Sequence, residues 1–212
     1  MLWVTTPSGK KWSLMQPRSE DVVVSDIAHN LAYQVRFNGS CGQYTVAEHS
    51  CHVHDEAVRQ NLPPEWCFLA LLHDAHEAYI GDITTPVTCA LDLLLVETGV
   101  TLNDRSLNQV LTLLKTRTDR AIFEALGLDH FSLPGKAYHT VRTLDATALR
   151  VEREALFPAA LADPQSTYSD ASQASFHPAC WSAHKARQYF LDRIARYTSD
   201  SFSKKFSLHT AR

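Results

Sequence analysis

The chain has 212 residues, 45% of them hydrophobic and 20% charged, with a formal net charge of -3. That is long enough for one ordinary domain with a sizeable core, and the composition is that of a soluble globular protein. It excludes an extended nucleic-acid surface, which needs a strongly basic balance, although a small anionic ligand needs only a local basic pocket.

The five cysteines, Cys41, Cys51, Cys67, Cys89 and Cys180, are odd in number, scattered, and form no CxxC pair. This argues against a disulfide framework and against a thiolate zinc site. The opening "MLWVTTPSGKKW" lacks the apolar stretch of a signal peptide. No run reaches the roughly 18 apolar residues of a membrane span. The expectation is no membrane and a cytoplasmic location.

"LWVTTPSGKKWSLM" reads as two short strands around a Pro-Ser-Gly turn. Helix signals start at Ser25 or Asp26, where Ile27, Leu31 and Val35 repeat at i+4, and "FNGSCGQ" ends them. Thr45 and Glu48 form a capping-box pattern that opens a second helix and puts His49 in its first turns. Pro64 suits the first turn of a third helix, expected to run to about residue 80, with Gly81 as its stop. Thr85-Pro86 restarts a helix that ends near Gly99. Within it "CALDLLLV", residues 89 to 96, reads first as ordinary core and second as an interface. Further helices are expected over 104–126, 137–156 and 180–197. Residues 199–212 read as a loose tail. No repeat and no second domain is visible, so the expected architecture is one all-α domain with a minor β element.

The stretch "CFLALLHDAHEAYIGDITTPV" carries the chemistry. Phe68 to Leu72 is a core-bound apolar run, and His73, Asp74, His76 and Glu77 follow almost without a break. Buried ionisable groups are costly unless each has a partner. Glu77 lies four residues after His73 and three after Asp74, so the three can share a face. A metal ion satisfies a buried imidazole and carboxylate together. Asp145, flanked by Val141, Ala148 and Leu149, is the best distant carboxylate, and His49 beside Ala47 and Val53 is the best distant imidazole. A single histidine on an apolar face is more often a hydrogen-bonded core residue, so each of these is weak alone. The doublet His54-Asp55 and nearby His52 sit among polar neighbours and read as a solvated face. His76 reads as support for the site or as surface.

Taken together, His49, His73-Asp74 and Asp145 resemble the H…HD…D signature of the HD-domain metal-dependent phosphohydrolases. "YTVAEHSCHV", "LLHDAHEAYIGDITTPV" and "RTLDATALRVERE" occur in that family's order, preceded by "DIAHNLAYQVRFNG". The likeness is greatest to the bacterial 5'-deoxynucleotidase branch and its small nucleotide-phosphohydrolase relatives. It spans roughly residues 26 to 156. The resemblance implies a single compact helical domain over 24–198, with the hairpin of 1–23 as part of it and 199–212 as a tail. It implies that His49, His73, Asp74 and Asp145 bind one divalent metal ion (Mn, Co, Fe, Zn or Mg). It implies acid-base and water-positioning roles for Glu77 and Asp82, and phosphate binding by Arg36. Phe37 stands where relatives can carry a tryptophan that helps select the sugar.

The implied activity is hydrolysis of (deoxy)nucleoside 5'-monophosphates by a homo-oligomer, a dimer being favoured. Two alternatives stay open. One is a (d)NTP triphosphohydrolase using a deeper basic pocket, for which Lys10, Lys11, Lys136 and Arg142 are available. The other is a non-catalytic nucleotide-binding protein. A binuclear centre would need further histidines between Asp74 and Asp145. Only His76, His130 and His139 occur there, and His76 is too close to His73 to be an independent ligand segment.

Overall fold

The computed structural model describes residues 2–100, 102, 105–157 and 176–198. The expected tail and most of residues 157–179, between the last two helices, lie outside them. Strands β1 (Trp3–Thr5) and β2 (Lys11–Ser13) pair antiparallel, with Val4 opposite Trp12. Their turn is pinned to the next helix, because the Asp26 carboxylate accepts from Ser8 N at 3.1 Å and Ser8 Oγ at 2.6 Å. Trp12 is fully buried and stacks on Tyr79 at 3.9 Å. The hairpin therefore belongs to the core and not to a separate unit.

Helix α1 (Val24–Tyr33) buries Ile27, Ala28, Leu31 and Ala32. It stops before Val35, which instead bridges Thr45. Arg36 N donates to Tyr44 O and Val46 N to Gln34 O, both at 2.9 Å. This clip delivers the chain into α2 (Val46–Arg59). Thr45 caps α2 by accepting from Glu48 N at 3.2 Å. The Glu48 carboxylate, however, accepts from Ala179 N at 2.8 Å and Trp181 N at 2.6 Å. The capping glutamate is thus diverted to anchor the segment before the last helix.

Helix α3 (Pro64–Leu72) buries every residue from Cys67 to Leu72. The single helix expected over 64–80 is broken. After Leu72 the backbone bonds tighten to i→i−3: Ala75 N to Leu72 O, Glu77 N to Asp74 O, Ala78 N to Ala75 O. One cause is visible. His73 Nδ1 lies 2.8 Å from Ala70 O, the carbonyl that the Asp74 amide would use in a continuing α-helix. The short α4 (Glu77–Ile80) follows and ends at Gly81, whose φ of 93° is left-handed.

Helices α5 (Thr85–Glu97) and α6 (Leu107–Ala125) pack on each other, and Asp92 Oδ1 accepts from Leu107 N at 2.5 Å. Ser106 and Gln109 complete a capping box for α6. The reading of residues 89 to 96 as ordinary core is corrected here. Thr88 alone is buried in α5, while Leu93 is 65% and Val96 79% exposed. Helix α7 (Gly135–Leu156) runs beside α2 and α3, and α8 (Ala183–Thr198) covers α1, α2 and α3. The protein is all-α with one small N-terminal hairpin, and α2 is its hub. Among the described residues no single helix is long and apolar enough to cross a membrane.

Candidate metal centre

Four side chains from three helices converge. His49 comes from the first turn of α2, His73 and Asp74 from the turn that follows α3, and Asp145 from the middle of α7. His49 Nε2 lies 3.2 Å from His73 Nε2, 3.6 Å from Asp74 Oδ2 and 3.1 Å from Asp145 Oδ1. His73 Nε2 lies 3.2 Å from Asp74 Oδ2 and 3.7 Å from Asp145 Oδ1. His49 is fully buried, whereas the Asp145 side chain is 40% exposed.

Both rings are fixed from behind. His49 Nδ1 is 2.5 Å from Glu152 Oε1, and His73 Nδ1 is 2.8 Å from Ala70 O. An acceptor at each Nδ1 assigns the ring proton there. Both Nε2 lone pairs then point at one spot already flanked by two carboxylates. Burial pushes each histidine toward neutrality, but the carboxylates outweigh it and raise both pKa values. Burial opposes ionisation of Asp74 and Asp145 too, yet the histidines hold both well below the usual carboxylate range. The arrangement demands positive charge at its centre. Protons can supply it, and so could a metal ion, to which His49, His73 and Asp74 can each offer a ligand atom with Asp145 beside them. The chemistry of the donor set fits a divalent ion: two imidazoles and two carboxylates, each imidazole oriented by its other nitrogen. His49, His73 and Asp74 by themselves form a group that could hold a metal ion.

Arg36 stands at the edge of this group. Its Nε and Nη2 hold Glu152 Oε2 at 3.2 and 3.1 Å, and Nη1 lies 3.7 Å from Asp74 Oδ2. Burial disfavours its charge, but Glu152 and Asp74 more than compensate and raise its pKa. Phe37, with a left-handed φ of 54°, meets Phe157 edge-on at 5.2 Å beside it. Glu77 is 5% exposed, and its Oε2 has no hydrogen-bond partner among the described residues. Burial, then Asp74 and Asp82, push its carboxyl up to about 9. Asp82, just past Gly81, is raised by burial. All eight side chains singled out in the sequence thus lie at or beside the centre.

Three features were missed, misread or left open by the sequence. Glu152, fully buried, ties His49, Arg36 and Tyr44 together, with Tyr44 OH donating at 2.8 Å. Its position seven residues after Asp145 on α7 was the available signal. His76 is buried and its Nδ1 lies 3.0 Å from Asp119 Oδ1 on α6. The solvated reading of His52, His54 and Asp55 is corrected. His54 is fully buried between Asp55 Oδ1 and Tyr197 OH, each at 2.8 Å, and Asp55 pairs with Arg193. His52 is buried and stacks on Phe176 at 4.4 Å. These groups fasten α8 to α2.

The molecule is therefore an all-helical protein with a buried cluster of histidines and carboxylates suited to a cation. No family model matches the chain. It belongs to the same family as an uncharacterized protein of Rhodobacter capsulatus, 33% identical over 157 residues that cover 72% of this chain and 71% of that one. It is also 38% identical, over 88 residues, to the uncharacterized protein YfdR of Escherichia coli. That second match spans 41% of this chain and 47% of YfdR.

Proposed function

We propose that this protein is a metal-dependent phosphohydrolase of the HD-domain type, acting on (deoxy)nucleoside 5'-monophosphates. The observation that carries this reading is the convergence of His49, His73, Asp74 and Asp145 beside a buried carboxyl, Glu77, that lacks a partner. Pure binding has no use for such a group.

His49, His73, Asp74 and Asp145 would hold the divalent ion, which when bound neutralises phosphoryl charge and acidifies water. The chain's own residues do the rest. Arg36 spends Nε and Nη2 on Glu152, which leaves Nη1 as the nitrogen that faces the centre and can donate to a phosphate oxygen. Glu77 takes the proton of the attacking water, directly or with Asp82 through a second water. With its carboxyl pushed to about 9, Glu77 keeps its own proton near neutral pH until positive charge offsets Asp74. Phe37 and Phe157 form an aromatic edge next to Arg36, in reach of the sugar or base side of the substrate. This is largely positioning and electrostatics, as phosphoryl transfer requires. The homodimer implied by the resemblance has the exposed apolar face of α5 available to it.

The monophosphate reading is preferred to triphosphate cleavage on one observation. Lys10 and Lys11 are engaged at the hairpin, with Glu20 O at 3.2 Å and the Trp3 ring at 4.7 Å. The test is phosphate release from a panel of deoxy- and ribonucleoside mono-, di- and triphosphates, using metal-stripped protein with Mn, Co, Mg or Zn restored. Orthophosphate released from monophosphates supports the reading. Tripolyphosphate released from triphosphates would replace it with the triphosphohydrolase, and saturable nucleotide binding without turnover with the binding protein. Glu77→Gln should keep the metal and lose about 10²–10⁴-fold in turnover. Near wild-type turnover in that variant would remove Glu77 from the mechanism.

A further inference from the structure

His76 is the ionisable side chain of the 73–77 turn that the reaction above does not use. It is 5% exposed, and the Asp119 carboxylate at 3.0 Å fixes its Nδ1 as the protonated nitrogen. Nε2 is left with a lone pair, buried, and without a hydrogen-bond partner among the described residues. Glu77 Oε2 is in the same condition. One ligand atom each of Asp74, His76 and Glu77 lies within 4.8 Å of the other two.

Two further observations converge on this group. His76 with Asp119 repeats the arrangement of His49 with Glu152: an imidazole held at Nδ1 by a carboxylate from another helix, its Nε2 left over. That is how metal-ligating histidines are held. The surroundings are also rich in carboxyl groups. Asp74, Glu77, Asp82, Asp119, Asp145 and Glu152 are six carboxyl groups, and Arg36, Lys115 and the neighbouring histidines are the groups whose positive charge acts on them.

We propose that Asp74, His76 and Glu77 form a second divalent-cation site that shares Asp74 with the first centre. It rests on the metal-centre reading, because Asp74 serves both. One imidazole nitrogen and two carboxylates suit a first-row ion such as Mn, Co, Fe or Zn better than the all-oxygen preference of Ca or Mg. With three protein donors against four, this site fills second. When it is filled, Glu77 is a ligand and is withdrawn from proton transfer, so the second equivalent of metal competes with turnover. The closeness of His76 to His73 in sequence is no obstacle, because the tightened backbone after Leu72 lets the two rings serve neighbouring sites.

The test is equilibrium dialysis of the full metal-stripped chain against Co²⁺, with cobalt counted per chain, on wild type, His49→Ala and His76→Asn. Asparagine keeps an amide donor for Asp119, and a circular-dichroism melt reports whether each variant folds. The expected result is two cobalt ions in wild type. In His76→Asn one remains, its affinity changed less than about 3-fold, and in His49→Ala the tight step is lost. A single ion in wild type that survives His76→Asn and is lost in His49→Ala overturns the second site and leaves the first centre standing. A single ion lost in His76→Asn but not in His49→Ala overturns the first centre instead. Two ions in both wild type and His76→Asn place the second ion elsewhere and overturn the proposal, and no cobalt at all overturns both sites. Should His76→Asn unfold, Asp119→Asn removes only the orienting carboxylate. It should weaken the second step about 10- to 100-fold while the first holds, and an unchanged second step there overturns the proposal.

Discussion

Helices α2 and α5 have almost the same length, Val46–Arg59 and Thr85–Glu97, and they bury opposite kinds of side chain. In α2 every residue from Val46 to His54 is buried, including Glu48, His49, His52 and His54. In α5 the leucines and valines face out, and Thr88 is the buried residue. Composition would have put them the other way round. Position in the fold decides: α2 is enclosed by α1, α3, α7 and α8, whereas α5 leans on α6 at the margin. Enclosure is tolerable for α2 because most of its polar groups have a named partner, without which each would cost about 1–3 kcal/mol. Glu48 has two backbone amides, His49 has Glu152, and His54 has Asp55 and Tyr197.

The sharpest way to break this contrast is at the centre that α2 helps to build. Asp74→Ala removes a carboxylate within 3.2–3.7 Å of His73, His49 and Arg36. It should abolish metal binding and bring metal-dependent turnover to background, read by dialysis and phosphate release on the same sample. Retained metal with lost turnover would move Asp74 from ligand to catalytic partner.

The next effect is one of stability. Glu152 is fully buried and is the partner of His49, Arg36 and Tyr44 together. Removing one member of a buried charged network leaves the others unmatched and costs about 3–5 kcal/mol. Glu152→Ala should therefore lose that much in a urea melt. Glu152→Gln, which keeps an acceptor for His49 Nδ1, should lose less. Equal loss in both would show that charge, not shape, governs the network.

What the sequence made legible follows from range. His73, Asp74 and Glu77 stand out because ionisable residues interrupt an apolar run, a local signal. Asp145 stands out because a carboxylate lies among Val141, Ala148 and Leu149. Helix ends at Thr45, Pro64 and Gly81 carry their own chemistry, and they appear where expected. Several of the misreadings depend on distant partners. His52 and His54 look solvated until α8 is laid over them. Glu152 and Asp119 gain their roles only where α2 and the 73–77 turn face them. The break after Leu72 depends on where the His73 ring points, which no periodicity encodes.

A smaller effect separates the α2–α8 contact from the site. Burial opposes ionisation of Asp55, but hydrogen bonds from His54 and Arg193 outweigh it, and its pKa falls below the ordinary 3.8. In that range the unfolded chain binds the proton first. The stabilisation is therefore complete above about pH 5 and is lost as pH falls through 3.8 toward the folded value. Asp55→Asn should lower stability at pH 6 and flatten part of the decline between pH 5 and pH 3, measured by urea melts at each pH. Parallel wild-type and variant curves would mean that the Asp55–Arg193 pair is not what ties α8 down.

The smallest expected effect is on α5, and it tests the comparison from the other side. Phe68 of α3 is 1% exposed, so Phe68→Ala should cost about 3–5 kcal/mol. Leu93→Glu and Val96→Glu, at positions 65% and 79% exposed, should each change the stability of the dilute chain by less than about 0.5 kcal/mol. Contiguous exposed leucines and valines are nevertheless unusual on a protein that stays single. If α5 joins two copies, the double variant should sediment as a monomer at concentrations where wild type does not, with metal content unchanged. A large stability loss in the dilute variants would instead mean that α5 is covered within one chain, and the symmetry of the contrast with α2 would be lost. An unchanged sedimentation profile would leave those side chains without a role in self-association.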